Sequence, residues 1–189
     1  MISLLMNQDT MPGGGPLVVK LGGAAVEDSA GCDALWDALA SLHRSEPMGI
    51  VLVHGGGASV DRRLARLGLT TQRRDGIRIT PPDALEEVVA SLAGVVNTDI
   101  IGRMQSRGIP AVGLTLSDGF MGRCAVSTKY KFDPGRVGEI NGGAARLPML
   151  LLRSGFIPVI SSIGLDDAGK PLNINADEAA AAIAGLLEA

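Results

Sequence analysis

Aromatic residues are scarce in this 189-residue chain: three Phe, one Tyr and one Trp make up 3% of the sequence. Binding by stacking against bases or sugars is nearly excluded, because such sites need several aromatic side chains. The formal net charge is only −3, from 17 basic and 20 acidic residues. Since nucleic acids and anionic membranes are recognised by clustered positive charge, we expect neither as a partner.

Cysteine and histidine are also rare, with two of each. Cys32 and Cys124 form no CxxC pair, so we expect free thiols in a reducing compartment. His43 and His54 have no second ligand at zinc-binding spacing, and no protein metal site is predicted. No run of 18 apolar residues occurs, and residues 1–16 lack the basic and apolar regions of a signal peptide. We therefore expect a cytoplasmic protein with a flexible leader at 1–16.

Three familiar site motifs are missing or incomplete. The segment 164–170 (GLDDAGK) has the GxxxxGK skeleton of a phosphate loop, but Pro171 follows where a Ser or Thr should bind magnesium. We predict a surface turn there. The HGGG at 54–57 has no GxSxG partner, which excludes an esterase. No GxGxxG is present, which disfavours dinucleotide binding.

The composition that remains is that of one globular domain: 46% hydrophobic, 20% charged, mean hydropathy +0.27. Short apolar runs alternate with amphipathic segments and glycine stops. We predict an α/β three-layer sandwich with a mainly parallel central sheet. The expected strands are 17–21, 50–53, 111–114, 124–128, 137–140 and 157–160, and the expected helices are 30–45 (capped by Ser29), 58–67, 81–107, 147–153 and 176–187.

Residues 71–83 contain a turn followed by a helix start. Asp75-Gly76 is a hairpin signal between short strands. Thr80 precedes two prolines and an aspartate, which predicts a helix capped by the Thr80 side chain. The apolar stripe of the helix 81–107 is wide, and we expect it to pack on two sides. An exposed stripe of this kind indicates a subunit interface, with Val89 and Val96 in it.

Two glycine-rich turns follow strands that should be neighbours in the sheet. Lys20 and Gly22-Gly23 end the first strand, and 55–57 (GGG) ends the second and opens a helix. Bare backbone N–H groups at the carboxyl edge of a parallel sheet bind anions, and a lysine there suits a phosphoryl group. Each feature alone is equally typical of a solvated surface, but together they favour phosphate chemistry.

Seven segments then occur in an order that is specific. They are LVVKLGG (17–23), VLVHGGG (51–57), DGIRIT (75–80), SLAGVVN (91–97), AVGLTLSDG (111–119), FIPVISSIG (156–164) and NINADEAA (173–180). Together they resemble the N-acetyl-L-glutamate kinases of the amino acid kinase family over nearly all of 17–189. The resemblance implies that family's fold and ATP-dependent phosphorylation of the side-chain carboxylate of N-acetyl-L-glutamate in arginine biosynthesis. It also implies a homodimer and Mg²⁺ carried by the nucleotide.

The resemblance further implies roles for individual side chains. Lys20 resembles the lysine that stabilises the transferring phosphoryl group, and Asp177 the aspartate that orients catalytic lysines. Arg78 and Asn173 resemble the residues that grip N-acetylglutamate. From the sequence pattern alone, the preferred interpretation is a surface residue of a hairpin for Arg78 and a helix cap for Asp177. A side-chain carboxylate is ionised at neutral pH, its pKa being about 4.3, so the reaction needs no general base.

The resemblance assigns the glycines to backbone contacts. Gly56 and Gly57 resemble donors to the substrate, and Gly22, Gly23 and Gly55 are expected beside the phosphates. The sequence ends soon after the predicted helix 176–187, whereas the family has a further nucleotide-binding domain. We therefore expect 17–189 to be the lobe that binds the amino-acid substrate. The alternatives are a catalytically incomplete binding or regulatory fragment, and a related kinase acting on another carboxylate.

Overall fold

The computed structural model of the chain describes residues 14–27 and 33–189. Most of the predicted leader, the predicted cap Ser29 and Cys32 lie outside these residues. Within them, no helix has the length and apolar character needed to cross a membrane.

Four parallel strands form the central sheet, in the order β1-β2-β8-β5. Every residue of β2 and β8 is buried, because helices or a second sheet cover both faces. This burial explains why these strands appear in the sequence as continuous apolar runs. Their bounds are β1 (Leu17–Leu21), β2 (Ile50–His54), β5 (Ala111–Thr115) and β8 (Ile157–Ser161).

Helices pack on both faces of this sheet. On one face Ile50 and Leu52 of β2 contact Trp36 of a preceding helix and Ile100 of a following one. The other face carries Val51 and Val53, as the two-residue period of a strand requires. The α-helices are α1 (Gly23–Glu27), α2 (Asp33–Ser45), α3 (Gly57–Arg66), α4 (Pro82–Val89), α5 (Asn97–Gln105), α6 (Arg146–Arg153) and α7 (Ala176–Leu187).

The second face of the central sheet is covered by α7 and by a smaller mixed sheet of order β6-β7-β10-β9. Its strands are β6 (Cys124–Val126), β7 (Val137–Ile140), β9 (Ile163–Leu165) and β10 (Pro171–Ile174). The segment 166–170 is the turn of the β9–β10 hairpin, which confirms the surface turn predicted there. The α/β prediction and the parallel central sheet are confirmed, while the separate second sheet was not foreseen.

The Asp75-Gly76 turn is confirmed, joining β3 (Arg73–Arg74) to β4 (Ile77–Arg78). The predicted cap was wrong. Pro81, and not Thr80, occupies the N-cap of α4, and no side chain caps this end of the helix. Thr80 is fully buried and its hydroxyl donates to the Arg78 carbonyl instead (3.1 Å). The chain enters the helix from a strand, so Thr80 faces the interior rather than the helix end.

The predicted helix 81–107 is a single run with a π-helical segment, Ala90–Val96, between α4 and α5. Its inward face packs on the protein's own core, and Val96 is only 4% exposed. The placement of Val96 on an intersubunit surface was therefore wrong. Val95 beside it is 58% exposed and is the outward apolar residue of the segment.

Candidate active site

A cavity of about 240 Å³ opens at the carboxyl ends of β1 and β2. All nine predicted site residues line it, although they come from five separate parts of the chain. They are Lys20, Gly22, Gly23, Gly55, Gly56, Gly57, Arg78, Asn173 and Asp177. Topology explains this meeting, because parallel strands bring their carboxyl ends to one edge of the sheet.

Lys20 and Asp177 form an ion pair, with 3.0 Å between Lys20 Nζ and Asp177 Oδ1. Lys20 projects on the same face of β1 as Val18, toward α7. Asn175 caps α7 and accepts hydrogen bonds from the backbone N–H groups of Asp177 (2.8 Å) and Glu178 (3.3 Å). Asp177 is therefore not the cap, and its carboxylate is available to hold Lys20.

The glycine loop 55–57 leaves little room for side chains at Gly55 and Gly56. A Cβ on Gly56 would come 3.0 Å from Val96 Cγ2 and 3.1 Å from Leu92 Cδ2. A Cβ on Gly55 would come 3.2 Å from the Ala176 Cβ. The loop is thus pressed between the π-helical segment and the start of α7, so its backbone, and not side chains, forms this wall of the cavity.

Only 8% of the Arg78 side chain is exposed, and three partners hold its guanidinium group. Its Nη1 donates to Asp61 Oδ1 (2.5 Å) and Thr71 Oγ1 (2.7 Å), and its Nη2 donates to the Gly57 carbonyl (2.9 Å). Asp61 Oδ2 accepts a bond from Arg73 (2.7 Å). The guanidinium is therefore fixed in orientation at the cavity wall before any ligand arrives.

Asp61 carries the charge that balances this arginine pair. Burial opposes its ionisation, but the hydrogen bonds from Arg78 and Arg73 outweigh that effect and hold the pKa of the Asp61 carboxyl below its ordinary value. The carboxylate is therefore ionised at neutral pH. Its bridging position sets the distance between the two guanidinium groups.

Asn173 is oriented by the buried hydroxyl of Thr80. Asn173 Nδ2 donates to Thr80 Oγ1 (3.0 Å), which itself donates to the Arg78 carbonyl. With its amide nitrogen engaged in this way, Asn173 presents Oδ1 as an acceptor at the cavity. Thr80 thus connects the two residues predicted to grip the substrate.

Sequence reasoning missed the supporting residues Asp61, Thr71 and Thr80. Asp61 lies on the polar face of an amphipathic helix and Thr71 in a loop, where solvated side chains are the usual expectation. The hairpin signal at Asp75-Gly76 was the available clue, since it folds Arg78 back toward α3. Within 14–27 and 33–189, no three His, Cys, Asp or Glu side chains are grouped so as to hold a metal ion.

The parallel sheet has a lysine and two glycine turns at its carboxyl edge, with an arginine of the β3–β4 hairpin beside them; this is an α/β fold whose edge offers positive charge and backbone donors suited to an anionic ligand. The chain belongs to the amino acid kinase family, whose model matches residues 15–189. It is 43% identical to the acetylglutamate kinase of Vibrio vulnificus over 182 residues, or 95% of this chain and 67% of that protein. It is 44% identical to the acetylglutamate kinase of Colwellia psychrerythraea, covering 92% and 65% respectively.

The chain thus spans about two thirds of the length of the curated relatives it matches. Among solved structures it resembles the smu.665 protein of Streptococcus mutans, with a TM-score of 0.76, 26% identity, and coverage of 92% of this chain and 69% of that one. An N-acetylglutamate synthase from Neisseria gonorrhoeae shares the fold alone (TM-score 0.72, 24% identity, 93% and 40% coverage). The predicted family and its fold are confirmed.

Proposed function

We propose that this chain provides the amino-acid site of an N-acetylglutamate kinase, which phosphorylates the side-chain carboxylate of N-acetyl-L-glutamate with ATP. One observation carries the proposal: Lys20, Arg78, Asn173 and the glycine loops converge on one cavity in a chain 43–44% identical to acetylglutamate kinases. Residues 17–189 then correspond to the substrate-binding lobe.

The chemistry of the cavity suits an acylated amino acid. Arg78 offers a fixed guanidinium to a carboxylate, a pairing about twice as strong as a neutral hydrogen bond. Asn173 Oδ1 can accept a hydrogen bond from an amide N–H. An N-acetylated amino acid carries such a group, because acetylation turns the amine into a neutral amide that keeps one N–H. The cavity is smaller than the roughly 300–1,000 Å³ of drug-sized sites, and its volume of about 240 Å³ fits a small metabolite.

Phosphoryl transfer to a carboxylate requires an anion to attack a polyanion, so positive charge and positioning are the main needs. Lys20 would lie beside the transferring phosphoryl group, with Asp177 limiting the reach of its ammonium group. The N–H groups of the glycine turns would add neutral donors. Mg²⁺ bound to ATP would neutralise part of the phosphate charge, and the phosphates themselves would be its main ligands.

The test is binding followed by turnover. Calorimetry should show that the 189-residue chain binds N-acetyl-L-glutamate. In a protein that joins this chain to the nucleotide-binding domain of an acetylglutamate kinase, ATP-dependent acyl phosphate should form and be trapped as a hydroxamate. Lys20→Met should remove hydroxamate formation, whereas Lys170→Met, in the β9–β10 turn, should not. Binding without any hydroxamate would indicate a binding module rather than a kinase. No binding of N-acetyl-L-glutamate would refute the proposal.

We further propose a cytoplasmic homodimer that pairs through the outward face of the segment 82–105. Val95 is 58% exposed there, beside exposed Gly94, so a second subunit can approach closely. Val95→Glu should convert the dimer to a monomer in light scattering, while Leu150→Glu, at a residue of α6 that is 60% exposed and outside this segment, should leave it paired. A monomeric unmodified chain would refute the dimer.

A further inference from the structure

His54, the last residue of β2, is fully buried and stands directly before the glycine loop. It points to the same face of the sheet as Ile50 and Leu52. Its Nδ1 lies 2.9 Å from the Gly55 carbonyl oxygen, and its Nε2 lies 3.0 Å from Asn97 Nδ2. A buried imidazole bonded through both nitrogens has a fixed ring orientation, and no step of the proposed function uses it.

The orientation of the Asn97 amide follows from its other partner. Asn97 Nδ2 also lies 3.0 Å from the Val159 carbonyl oxygen. A carbonyl only accepts, so the nitrogen and not the oxygen of the amide must face it. The same nitrogen then donates its second hydrogen to His54 Nε2.

This contact fixes the tautomer of His54. An accepting Nε2 in a neutral ring places the single hydrogen on Nδ1, which therefore donates to the Gly55 carbonyl. Burial holds the pKa of His54 below its ordinary value, although the bond to Gly55 opposes this effect, so the ring is neutral at pH 7. Gly113 leaves the space for Asn97, because a Cβ there would lie 2.0 Å from Asn97 Oδ1.

The bond to Gly55 also sets the direction of the next N–H group. In a planar trans peptide the C=O of Gly55 and the N–H of Gly56 point in opposite directions. The described residues contain no cis peptide. Since the carbonyl of Gly55 is drawn toward the buried ring, the N–H of Gly56 is turned away from it, at the wall of the cavity.

We propose that His54 is a positioning residue, which, locked by Asn97, holds the Gly55–Gly56 peptide so that the Gly56 N–H faces the bound anion. The identity of that anion, the substrate or its transferring phosphoryl group, rests on the proposed function. The orientation of the Gly55–Gly56 peptide does not rest on the proposed function. The proposed function and the positioning role of His54 can therefore fail separately.

The first measurement is the tautomer in the unmodified chain. Two-bond ¹H–¹⁵N correlation spectra at pH 7 distinguish a protonated Nδ1 from a protonated Nε2, and His43 is the only other histidine to assign. We expect His54 to carry its hydrogen on Nδ1. A hydrogen on Nε2 would overturn the proposal, because Gly55 would then lose its donor.

The second measurement uses two variants whose side chains have the same branched shape and four heavy atoms each. In His54→Asn the amide nitrogen can occupy the position of Nδ1 and keep the bond to Gly55, whereas His54→Leu has no donor. Both lose the ring, and their melting temperatures report the change in stability; a merely structural role would leave the affinities of the two folded variants equal. We expect His54→Asn to bind N-acetyl-L-glutamate within about threefold of the unmodified chain and His54→Leu at least tenfold more weakly.

The amide signal of Gly56 gives a readout that needs no ligand. Loss of the ring shifts this signal in both variants, but it should lie closer to its unmodified position in His54→Asn than in His54→Leu. Equal affinities, or equal Gly56 signals, in the two variants would overturn the role of His54. If the unmodified chain does not bind N-acetyl-L-glutamate, the proposed function fails, while the tautomer and the Gly56 signal still decide the positioning role.

Discussion

Replacing Arg78 by alanine should weaken the binding of N-acetyl-L-glutamate about 10- to 150-fold. A hydrogen bond to a charged group contributes about 1.5–3 kcal/mol, and each 1.4 kcal/mol is roughly a factor of ten. The upper half of this range is the better expectation here. Arg78 is 8% exposed and held in place by Asp61, Thr71 and Gly57, so little side-chain entropy is lost when it binds a carboxylate.

The same substitution should also lower the free energy of unfolding. It removes the hydrogen bonds to Thr71 and to the Gly57 carbonyl, both of them only partly buried, and a typical bond of this kind contributes about 0.5–1.5 kcal/mol. Arg78→Lys keeps the charge but not the planar fork, so it cannot reach Asp61, Gly57 and a ligand together. We expect it to bind the substrate with intermediate affinity.

Arg74→Ala is the matched control for these variants. Arg74 lies on the same hairpin, but its guanidinium stands 4.7 Å above the ring of Phe132 and does not line the cavity. Calorimetry should give it an affinity within twofold of the unmodified chain. Equal affinities for Arg78→Ala and Arg74→Ala, with both variants folded by circular dichroism, would remove Arg78 from the site.

Three further outcomes follow from single contacts. Gly113→Ala should lower the free energy of unfolding, measured by urea denaturation, by about 1–3 kcal/mol or more, because its Cβ would meet Asn97 Oδ1 at 2.0 Å. Cys124, whose pKa burial raises to about 11, should resist iodoacetamide at pH 8 until the protein unfolds, as followed by peptide mass spectrometry. Asp61 has a lowered pKa, so its stabilisation is present above its unfolded pKa of about 3.9 and is lost as the pH falls through the folded value. Below pH 4, the melting temperature of Asp61→Asn should therefore decrease less steeply with falling pH than that of the unmodified chain.

Local pattern predicted most of the elements and the place of the site. Lys20 is the last residue but one of β1, the glycines follow β1 and β2, and the carboxyl ends of parallel strands must share an edge. The roles of Arg78 and Asn173 came from the family resemblance and remain predictions, although both residues line the cavity. The position of Arg78 depends on the hairpin turn that the sequence signals, whereas that of Asn173 depends on β10, which was not among the expected strands.

Two of the supporting contacts could not be predicted, since they join residues far apart along the chain. Thr80 binds Asn173 across 93 positions, and Asn97 binds the Val159 carbonyl across 62. Thr80 also shows how a strong local signal can mislead: the capping pattern was present, but burial against β10 determined where the hydroxyl points. Long-range hydrogen bonds of this kind leave no periodicity in the sequence.

The π-helical segment connects these supports to the glycine loop. A π-helix inserts an extra residue in a turn and changes which side chains face inward beyond it. Here Val96 and Asn97, adjacent in sequence, are both buried: Val96 contacts Gly56, and Asn97 binds His54. The end of the π-helical segment and the start of α5 therefore act on the same loop: one residue presses on the loop, and the next locks the histidine that orients it.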